Sequence, residues 1–343
     1  MPQPYKIEVF DHALNWRSFA VIAQPTTYFD YLTLEGVKIT APRMAVQKGD
    51  IAHVTNAGGS VVYQGIVSDV QIDKAACEIS LAPLLSLYDL TVAYDRVDLQ
   101  TGAIEDFIAG IITDLYISNP DTLQRVPMTV TATSSTTDTA LNIKSNVHEF
   151  YDIITKAFTM YGVVVSMLFK PQNKLIETTI GKANTVKTIE SRLPNVLDKS
   201  FVIGDSYGQL NKIRLISKNN ESEQITYYLH TNGTISTVNT DRITPVFAAV
   251  EYVESEDFDA DARAREALAP QQYNNLIELT YLRTDKLVDV DSIKIGTAVT
   301  VIDDKVYESV YTGYEQTEHT TKLLLGNVRV DLTKKMILER RKA

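Results

Sequence analysis

The chain has 343 residues, of which 44% are hydrophobic, and its formal net charge is −10 at pH 7. A chain of this length can bury several cores, so length and composition predict two or more globular domains. The negative charge argues against sequence-reading nucleic-acid binding, because no basic stripe is available to replace the counterions of the phosphates. Cys77 is the only cysteine, which excludes an intramolecular disulfide and a thiolate metal cluster.

No segment has the pattern of a signal peptide or a membrane-spanning helix. Residues 1–10 lack a basic start followed by an apolar core. The longest apolar run, near residues 163–169, is far too short to cross a bilayer. We therefore expect a soluble protein without a membrane-spanning segment, made in a reducing compartment.

Residues 1–95 have the pattern of an all-β domain, and we predict that they form a first β-barrel. Short apolar or alternating stretches are separated by turns, including one at the Glu35-Gly36 pair. Many short strands at regular spacing are typical of a sandwich or a barrel. The predicted strands lie at residues 6–10, 18–23, 33–39 and within 49–81.

Residues 96–195 predict an α+β module of two helices over a small sheet. Apolar residues recur at helical spacing over residues 104–115, where Thr101 is placed to cap the helix. A second helix is predicted to begin after Asn146, with Glu149 returning the capping bond and Gly162 as its left-handed end. The predicted hairpin of this module has strands at residues 163–169 and 175–180.

Residues 196–333 return to strands and predict a second β-barrel region with an inserted helix near 257–269. Asp257 is placed to cap that helix, and Pro270 follows it. Residues 334–343 form a basic tail. Strands are predicted at residues 212–217, 224–229, 235–238, 246–253 and 274–284, and three or four more between 293 and 331.

Two stretches of the chain, residues 49–81 and 296–325, repeat one order of features. In each, a glycine opens an alternating strand, an aromatic-containing strand reaches a second glycine, and an apolar strand closes the unit. The two glycines are 16 positions apart in the first unit (Gly49 and Gly65) and 17 apart in the second (Gly296 and Gly313). We infer two related β-barrels in one chain. A chance likeness between two glycine-punctuated β-units stays open as the alternative.

The sequence contains no recognisable catalytic or metal-binding constellation. Residues 254–261 are acidic but lack the glycine and the distal glutamate of a calcium loop, and Cys77 lies among apolar neighbours, which predicts a buried, inert thiol. We predict no catalytic residue, no cofactor-binding residue, no metal ligand and no cofactor. A pair of carboxylates for glycoside hydrolysis stays open, because separation in space cannot be read from sequence. The histidines are scattered, without paired metal spacing, at His12, His53, His148, His230 and His319.

The order of several motifs resembles the hub protein of long-tailed bacteriophage baseplates, a group that includes prophage tail endopeptidases and tail-associated lysin N-terminal domains. No single motif is specific to this group. The resemblance depends on the order of the motifs, which extends over nearly the whole chain to Thr333. The motifs are KGDIAHV and VYQGIVSDV in the first unit, NVHEFYDIITKAFTMYGVVVSMLF in the middle, then DSYGQLNKIRLI, NNLIELTYL, and IGTAVTVID, YTGYEQ and LLLGNVRVDLT in the second unit.

The resemblance implies a fold of two β-barrels with intervening α/β modules and a homotrimer whose six barrels form a pseudo-sixfold ring. It further implies a structural hub in the virion tail, made in the bacterial host cytoplasm. We predict that this hub is not an enzyme, because no nucleophile–base or metal-ligand set can be read in the sequence. The implied partners are the distal tail protein and other tail-tip or tail-tube proteins, with DNA passing through the lumen without specific binding. From the net charge we predict that the lumen is lined mainly by Asp and Glu, and a negative surface that serves solubility stays open as the alternative. Only a short basic tail follows Thr333, so a C-terminal lytic domain is not expected.

Two other functions stay open. The first is a peptidoglycan-degrading tail enzyme. The second is a cell-wall carbohydrate-binding module, which would need a cluster of exposed Trp and Tyr side chains, whereas the sequence has only Trp16 and dispersed tyrosines.

Overall fold

Antiparallel β-sheet is the main regular structure of the described residues. The computed structural model describes residues 4–93, 103–133, 147–202, 210–218, 220–232, 234–241, 246, 248–253, 260–268, 275–285, 288 and 293–326. The predicted caps Thr101, Asn146 and Asp257 and the predicted basic tail lie outside these residues. None of the helices in the described ranges combines the length and the apolar character needed to cross a membrane.

The first sheet has six strands in the order β2-β1-β5-β6-β7-β4. Inward and outward side chains alternate along its strands, as in β4, because one face of the sheet covers a core and the other meets solvent. The strands of this part of the chain are β1 (Tyr5–Phe10), β2 (Trp16–Ile22), β3 (Thr27–Asp30), β4 (Val37–Pro42), β5 (Ile51–Thr55), β6 (Val61–Ile72), β7 (Ala76–Pro83) and β8 (Thr91–Ala93).

The middle of the chain forms the predicted α+β module. Gly162 ends the second helix in the left-handed conformation, with φ 69° and ψ 20°, as its sequence position predicted. A three-stranded sheet has the order β11-β12-β9, and β10 pairs with β8. The elements are α1 (Ile104–Ile112), β9 (Met128–Ala132), β10 (Val147–Glu149), α2 (Phe150–Tyr161), β11 (Val163–Lys170) and β12 (Leu175–Lys182).

The second helix begins later than the sequence predicted. Val147 to Glu149 form strand β10 rather than the first helical turn, because they pair with β8 from far upstream. The Glu149 carboxylate accepts a hydrogen bond from the Thr91 hydroxyl at 2.8 Å, so it ties β10 to β8 and caps no helix. The helical spacing of apolar residues correctly predicted the helix from Phe150 onward. The helix starts later than predicted because the residues before it pair with β8.

The second large sheet has seven strands, with the order β13-β20-β21-β22-β19-β14 and β3 added beside β21. Strand β13 belongs to it, although its residues fall in the predicted α+β module. The division of the chain into domains at residues 95, 195 and 333 stays a prediction. The strands of this sheet from the later part of the chain are β13 (Val186–Glu190), β14 (Val196–Val202), β19 (Leu276–Leu282), β20 (Ala298–Ile302), β21 (Val306–Gln316) and β22 (Thr320–Leu325).

A smaller unit is inserted between β14 and β19. Its four strands have the order β17-β16-β15-β18, and a helix covers one face through Ala264 and Leu268. The sequence predicted the strands and the helix but not that they form a sheet of their own. The elements are β15 (Lys212–Ser217), β16 (Gln224–Leu229), β17 (Ile235–Ser236), β18 (Ala248–Val253) and α3 (Ala260–Leu268).

The two large sheets are curled into half-barrels, and the predicted fold class, α+β with two barrels and an inserted α/β module, is confirmed. Each sheet contains the same three-stranded meander, β5-β6-β7 in the first and β20-β21-β22 in the second. A left-handed glycine opens each meander, Gly49 with φ 90° and Gly296 with φ 84°. Its N–H donates to the facing strand at 2.8 Å in both sheets, to the carbonyl of Val67 or of Tyr311.

The two meanders share a β-bulge at the same register position. In the first, Val67 pairs with Leu81 and Asp69 with Ser80, so Ser68 is the extra residue. In the second, Tyr311 pairs with Leu325 and Gly313 with Leu324, so the extra residue is Thr312.

The extra residue makes the same hydrogen bond in both sheets. The Ser68 hydroxyl donates to the Ser80 carbonyl at 3.1 Å, and the Thr312 hydroxyl donates to the Leu324 carbonyl at 3.0 Å. Bulges re-aim a strand at a fixed place, so a matching bulge with a matching side-chain bond is strong evidence of a repeated unit.

One detail of the predicted repeat is wrong. The pairing registers place Gly65 level with Ser309 and Gly313 level with Asp69, so the second glycines of the two units are not equivalent. Each glycine allows its own close approach. A Cβ on Gly65 would lie 2.4 Å from the carbonyl oxygen of Ala82, and one on Gly313 would lie 2.2 Å from that of Phe29.

Equivalent substitutions at the two bulges should lower the free energy of unfolding by different amounts. Thr312 is fully buried and Ser68 is exposed. We expect Thr312→Val to lower the free energy of unfolding by about 1–2 kcal/mol, because the change leaves a buried carbonyl without its side-chain donor. The matched control, Ser68→Ala, should change it by less than about 0.5 kcal/mol. Chemical denaturation of the two variants and the parent measures both, and equal effects would contradict the expectation.

Candidate functional site

The two large sheets are joined directly by one strand, and we call this place the junction. Strand β3 leaves the first sheet and pairs with β21 of the second, with Asp30 opposite Gly313 and Thr27 opposite Gln316. Both Thr27 and Asp30 are buried. The ring of Phe29 lies 6.1 Å from the ring of Tyr314, measured between centroids. The absence of a side chain at Gly313 allows the two backbones to meet at this point.

Tyr31, the residue after β3, connects three parts of the chain. Its N–H donates to the Thr312 carbonyl of the second sheet at 2.9 Å, and its hydroxyl oxygen accepts from the Val165 N–H of β11 at 2.9 Å. Its carbonyl accepts from the Tyr151 hydroxyl of α2. The ring packs on Phe158, with centroids 4.7 Å apart. Burial raises the pKa of the Tyr31 hydroxyl well above its ordinary value, so this group stays protonated.

A second connection holds the edge of β11 to the first sheet. The Gln64 carboxamide accepts from the Phe169 N–H at 2.9 Å and donates to the Phe169 carbonyl at 2.7 Å, so it pairs with β11 as a neighbouring strand would. Its nitrogen also lies 2.8 Å from Nδ1 of His53. An amide nitrogen can only donate, so Nδ1 is the acceptor and His53 is neutral. Burial lowers the pKa of His53, which favours that neutral form.

Between these two connections lies a pocket of about 310 Å³ lined by both sheets and by β11. Tyr63 lines it, is 4% exposed, and has no hydrogen-bond partner for its hydroxyl among the described residues. The lining includes Ser166 but no carboxylate and no histidine. A hydroxyl without an adjacent base is a poor nucleophile, so the pocket has no catalytic arrangement in its lining.

Two kinds of side-chain cluster can be checked in the described ranges, metal-ligand groups and nucleophile–base pairs. No group of three or more His, Cys, Asp or Glu side chains there could hold a metal ion. Nε2 of His230 lies 2.8 Å from the Ser236 hydroxyl, the spacing of a nucleophile and its base. This pair closes the turn between β16 and β17 and does not line the 310 Å³ pocket. It is also absent from the lining of a second pocket of about 610 Å³, which shares Val164 and Tyr314 with the first. Cys77 is buried, as predicted.

The outer face of β2 exposes an apolar patch of Trp16, Phe19 and Val21, which we call the β2 patch. These side chains are 56%, 53% and 57% exposed. The rings of Trp16 and Phe19 lie 6.3 Å apart, tilted by 36°, and the Lys6 ammonium lies 5.3 Å from the centroid of Phe19. The sequence singled out Trp16 but missed Phe19. Phe19 begins a continuous apolar run of residues 19–23, so no alternation of apolar and polar residues in the sequence showed that it faces outward.

The molecule shares its fold with tail proteins of bacteriophages. A chain of the phage P2 baseplate in its activated conformation with Ca is 13% identical, with a TM-score of 0.51 over 94% of this chain and 98% of that one. Prophage tail protein gp18 from Listeria monocytogenes EGD-e is 13% identical, with a TM-score of 0.52 over 98% of both chains. The 43 kDa tail protein of prophage MuSo2 from Shewanella oneidensis is 14% identical, with a TM-score of 0.51 over 95% of this chain and 98% of that one.

No protein-family model and no curated protein matches the chain. The structural likeness shows that the chain has the fold of phage baseplate and prophage tail proteins along nearly its whole length. The resemblance seen in the order of the motifs is confirmed in this respect.

Removal of the Tyr31 hydroxyl tests the junction. We expect Tyr31→Phe to lower the free energy of unfolding by about 1–3 kcal/mol, because the buried Val165 N–H loses its acceptor. Tyr252 is 56% exposed, so Tyr252→Phe is the matched control and should change the stability by less than about 0.5 kcal/mol. Denaturant unfolding compares the two, and a neutral Tyr31→Phe variant would show that the hydroxyl does not hold the junction.

Proposed function

We propose that the chain is a structural component of a phage tail: a trimeric baseplate hub that joins the tail tube to the tip and lets DNA pass. The observation that carries the proposal is the repeated meander, with the same left-handed glycine, register and bulge in both sheets. The fold shared with phage baseplate and prophage tail proteins supports the same proposal.

The repeat gives a reason for the trimer. Three copies of a chain with two similar sheets present six similar units, and closed rotational symmetry is the usual arrangement of identical chains. Such a ring can stack on a sixfold tube while keeping threefold symmetry towards the tip. A chain with one such sheet would match one of the two symmetries only.

The proposed partners are the distal tail protein and other tail-tip or tail-tube proteins, and the proposed location is the virion tail, after synthesis in the host cytoplasm. Exposed apolar patches such as the β2 patch are typical of interaction surfaces. The net charge of −10 suits a channel surface along which DNA slides, since each Lys or Arg contact to a phosphate would add a salt-sensitive attraction that holds the DNA.

The second candidate is a cell-wall carbohydrate-binding module, and the observation in its favour is the exposed Trp16–Phe19 pair. Sugar rings stack on aromatic faces that lie open and roughly level. Here the rings are inclined by 36°, and the Lys6 ammonium lies over Phe19. The hub therefore has the stronger support.

Measurement of the mass in solution tests the hub. We expect sedimentation equilibrium over a wide concentration range to show a species of three times the 38.3 kDa of one chain. A chain that stays at the monomer mass at every concentration, and that shows no threefold arrangement when it crystallises, would contradict the proposal. A dimer would contradict it equally, because two copies give four units.

Incubation with purified peptidoglycan separates the hub from the two cell-wall functions. We expect no release of soluble fragments, because the lining of the 310 Å³ pocket has no carboxylate and no histidine. We expect no retention of the protein on the sedimented wall, because the rings of Trp16 and Phe19 are tilted and the Lys6 ammonium lies over Phe19. Retention that Trp16→Ala abolishes would favour the carbohydrate-binding module. Release of fragments that one Asp or Glu substitution abolishes would identify an enzyme.

A further inference from the structure

The two equivalent sheets differ at one edge. In the second sheet, β21 continues past its bulge as residues 313–316, paired with β22 on one side and with β3 on the other. The equivalent segment of the first sheet is residues 69–72 of β6. It pairs with β7 on one side only, since the pairing of β6 with β5 ends at Ile66. No strand among the described residues lies on its other side.

The alternation of the ladder identifies the backbone groups that face this open side. The turn after β6 is closed by a bond from the Asp73 N–H to the Ala76 carbonyl at 2.9 Å. Antiparallel pairs alternate between bonded and non-bonded, so Val70 and Ile72 form non-bonded pairs with β7 and point their N–H and C=O groups outward.

Bonded and non-bonded pairs alternate in the same way in the second sheet. The Thr317 N–H donates to the Thr320 carbonyl at 2.9 Å, so Tyr314 and Gln316 point outward from β22. These are the residues that lie opposite Phe29 and Thr27 of β3. The open edge of the first sheet therefore presents the groups that its counterpart uses to hold an added strand.

The open edge is short and follows the bulge at Ser68, two features that can limit strand addition, but the equivalent edge of the second sheet has the same length and bulge and accepts β3. Within residues 69–72 there is no proline and no lysine, and Asp69 is the only charged residue. Ile72 pairs with Cys77, which is buried, and yet Ile72 is 58% exposed. In the second sheet, the counterpart of Val70 is Tyr314, which is packed by Phe29. An edge without proline or lysine, and with an apolar residue at its end, is suited to a partner strand.

We propose that residues 69–72 of β6 accept an added strand from a second copy of this chain. The inference rests on the proposed trimer and names the contact that closes it. Within one chain, the second sheet is completed by a strand from the first unit. A ring of six similar sheets needs a similar seam between chains, so the edge of the first sheet receives an extended segment from the second unit of its neighbour. Three such contacts close the ring.

Proline at the open edge is the sharpest test. Val70→Pro removes an outward N–H and no bond of the β6–β7 ladder, a position where an edge strand tolerates proline. The matched control is Val70→Thr, which keeps the N–H and is a good strand former. We expect Val70→Pro to raise the dissociation constant of the trimer at least about tenfold in sedimentation equilibrium, the equivalent of losing roughly 1.4 kcal/mol in total over its three contacts. Val70→Thr should leave it nearly unchanged.

Hydrogen exchange of the parent protein gives a second measurement that does not depend on how the proline variant folds. We expect the amides of Val70 and Ile72 to exchange more slowly as the concentration rises through the assembly range, and the amide of exposed Val250 in β18 to be the reference. Circular dichroism of Val70→Pro shows whether its strand content is retained. If it is not, the exchange measurement decides.

The outcomes separate this inference from the proposed function. A parent trimer that is weakened by Val70→Pro and protected at Val70 and Ile72 supports both. A parent trimer that is unchanged by Val70→Pro, with no concentration-dependent protection at these amides, overturns the edge contact and leaves the hub standing. A parent chain that remains monomeric at every concentration overturns both.

Discussion

The architecture depends on the polar matching around one buried residue, Tyr31. A buried backbone or hydroxyl group without a partner costs about 1–3 kcal/mol, so each of its three hydrogen bonds constrains the element at the other end. Those elements belong to the second sheet, to β11 and to α2. Apolar packing alone would tolerate a range of arrangements between these parts. The hydrogen bonds select one of them, and the adjacent ring contact with Phe158 fills the space around it.

The core below the junction is shared in the same way. Side chains of the first β-unit, among them Phe10, Leu14 and Ile51, are buried together with side chains of the α+β module in one cluster. Gln64 adds a polar connection along the same boundary by pairing with Phe169. The first sheet and the module therefore cannot separate without exposing both apolar surface and unpaired backbone groups. They act as one rigid support for the strand that crosses to the second sheet.

The same three-stranded meander occurs in two sheets that otherwise differ. Strand β1 runs antiparallel to β5, whereas β13 runs parallel to β20 at the equivalent edge, and the second sheet carries an inserted four-stranded unit. What is kept is the left-handed glycine, the pairing register and the bulge. These features set where the strand bends and which residues face the core. The varied features lie outside the meander, where the two sheets meet different neighbours.

Local patterns in the sequence were enough to find most strands. The strict alternation of β4 and β7 and the left-handed Gly162 could be predicted, because each depends on adjacent residues. The start of α2 could not, since β10 is held by β8, which lies more than fifty residues upstream. The repeat was detected through a spacing of glycines that is not the true equivalence. Its real signature is the register, which only the paired strands reveal.

The junction residues were not predicted for the same reason. Residues 27–30 fell between two predicted strands and carried no pattern of their own, because β3 is held by its pairing with β21, far downstream in the chain. Tyr31 and Gln64 are ordinary residues of a β-rich chain. Their importance comes from the groups they satisfy, Val165 and Phe169, and no spacing in the sequence brings those pairs together.

The crossing strand also constrains the order in which the chain can fold. Residues 27–30 leave the ribosome long before β21 is made, so the pairing of Asp30 with Gly313 waits until residue 313 has been synthesised. Long-range pairings of this kind form slowly, since the loop must close before the contacts stabilise it. Until then, Phe29 and the unpaired edge of β3 are open to other chains in the cell. Slower synthesis of the residues between β3 and β21 would therefore leave this strand unpaired for longer.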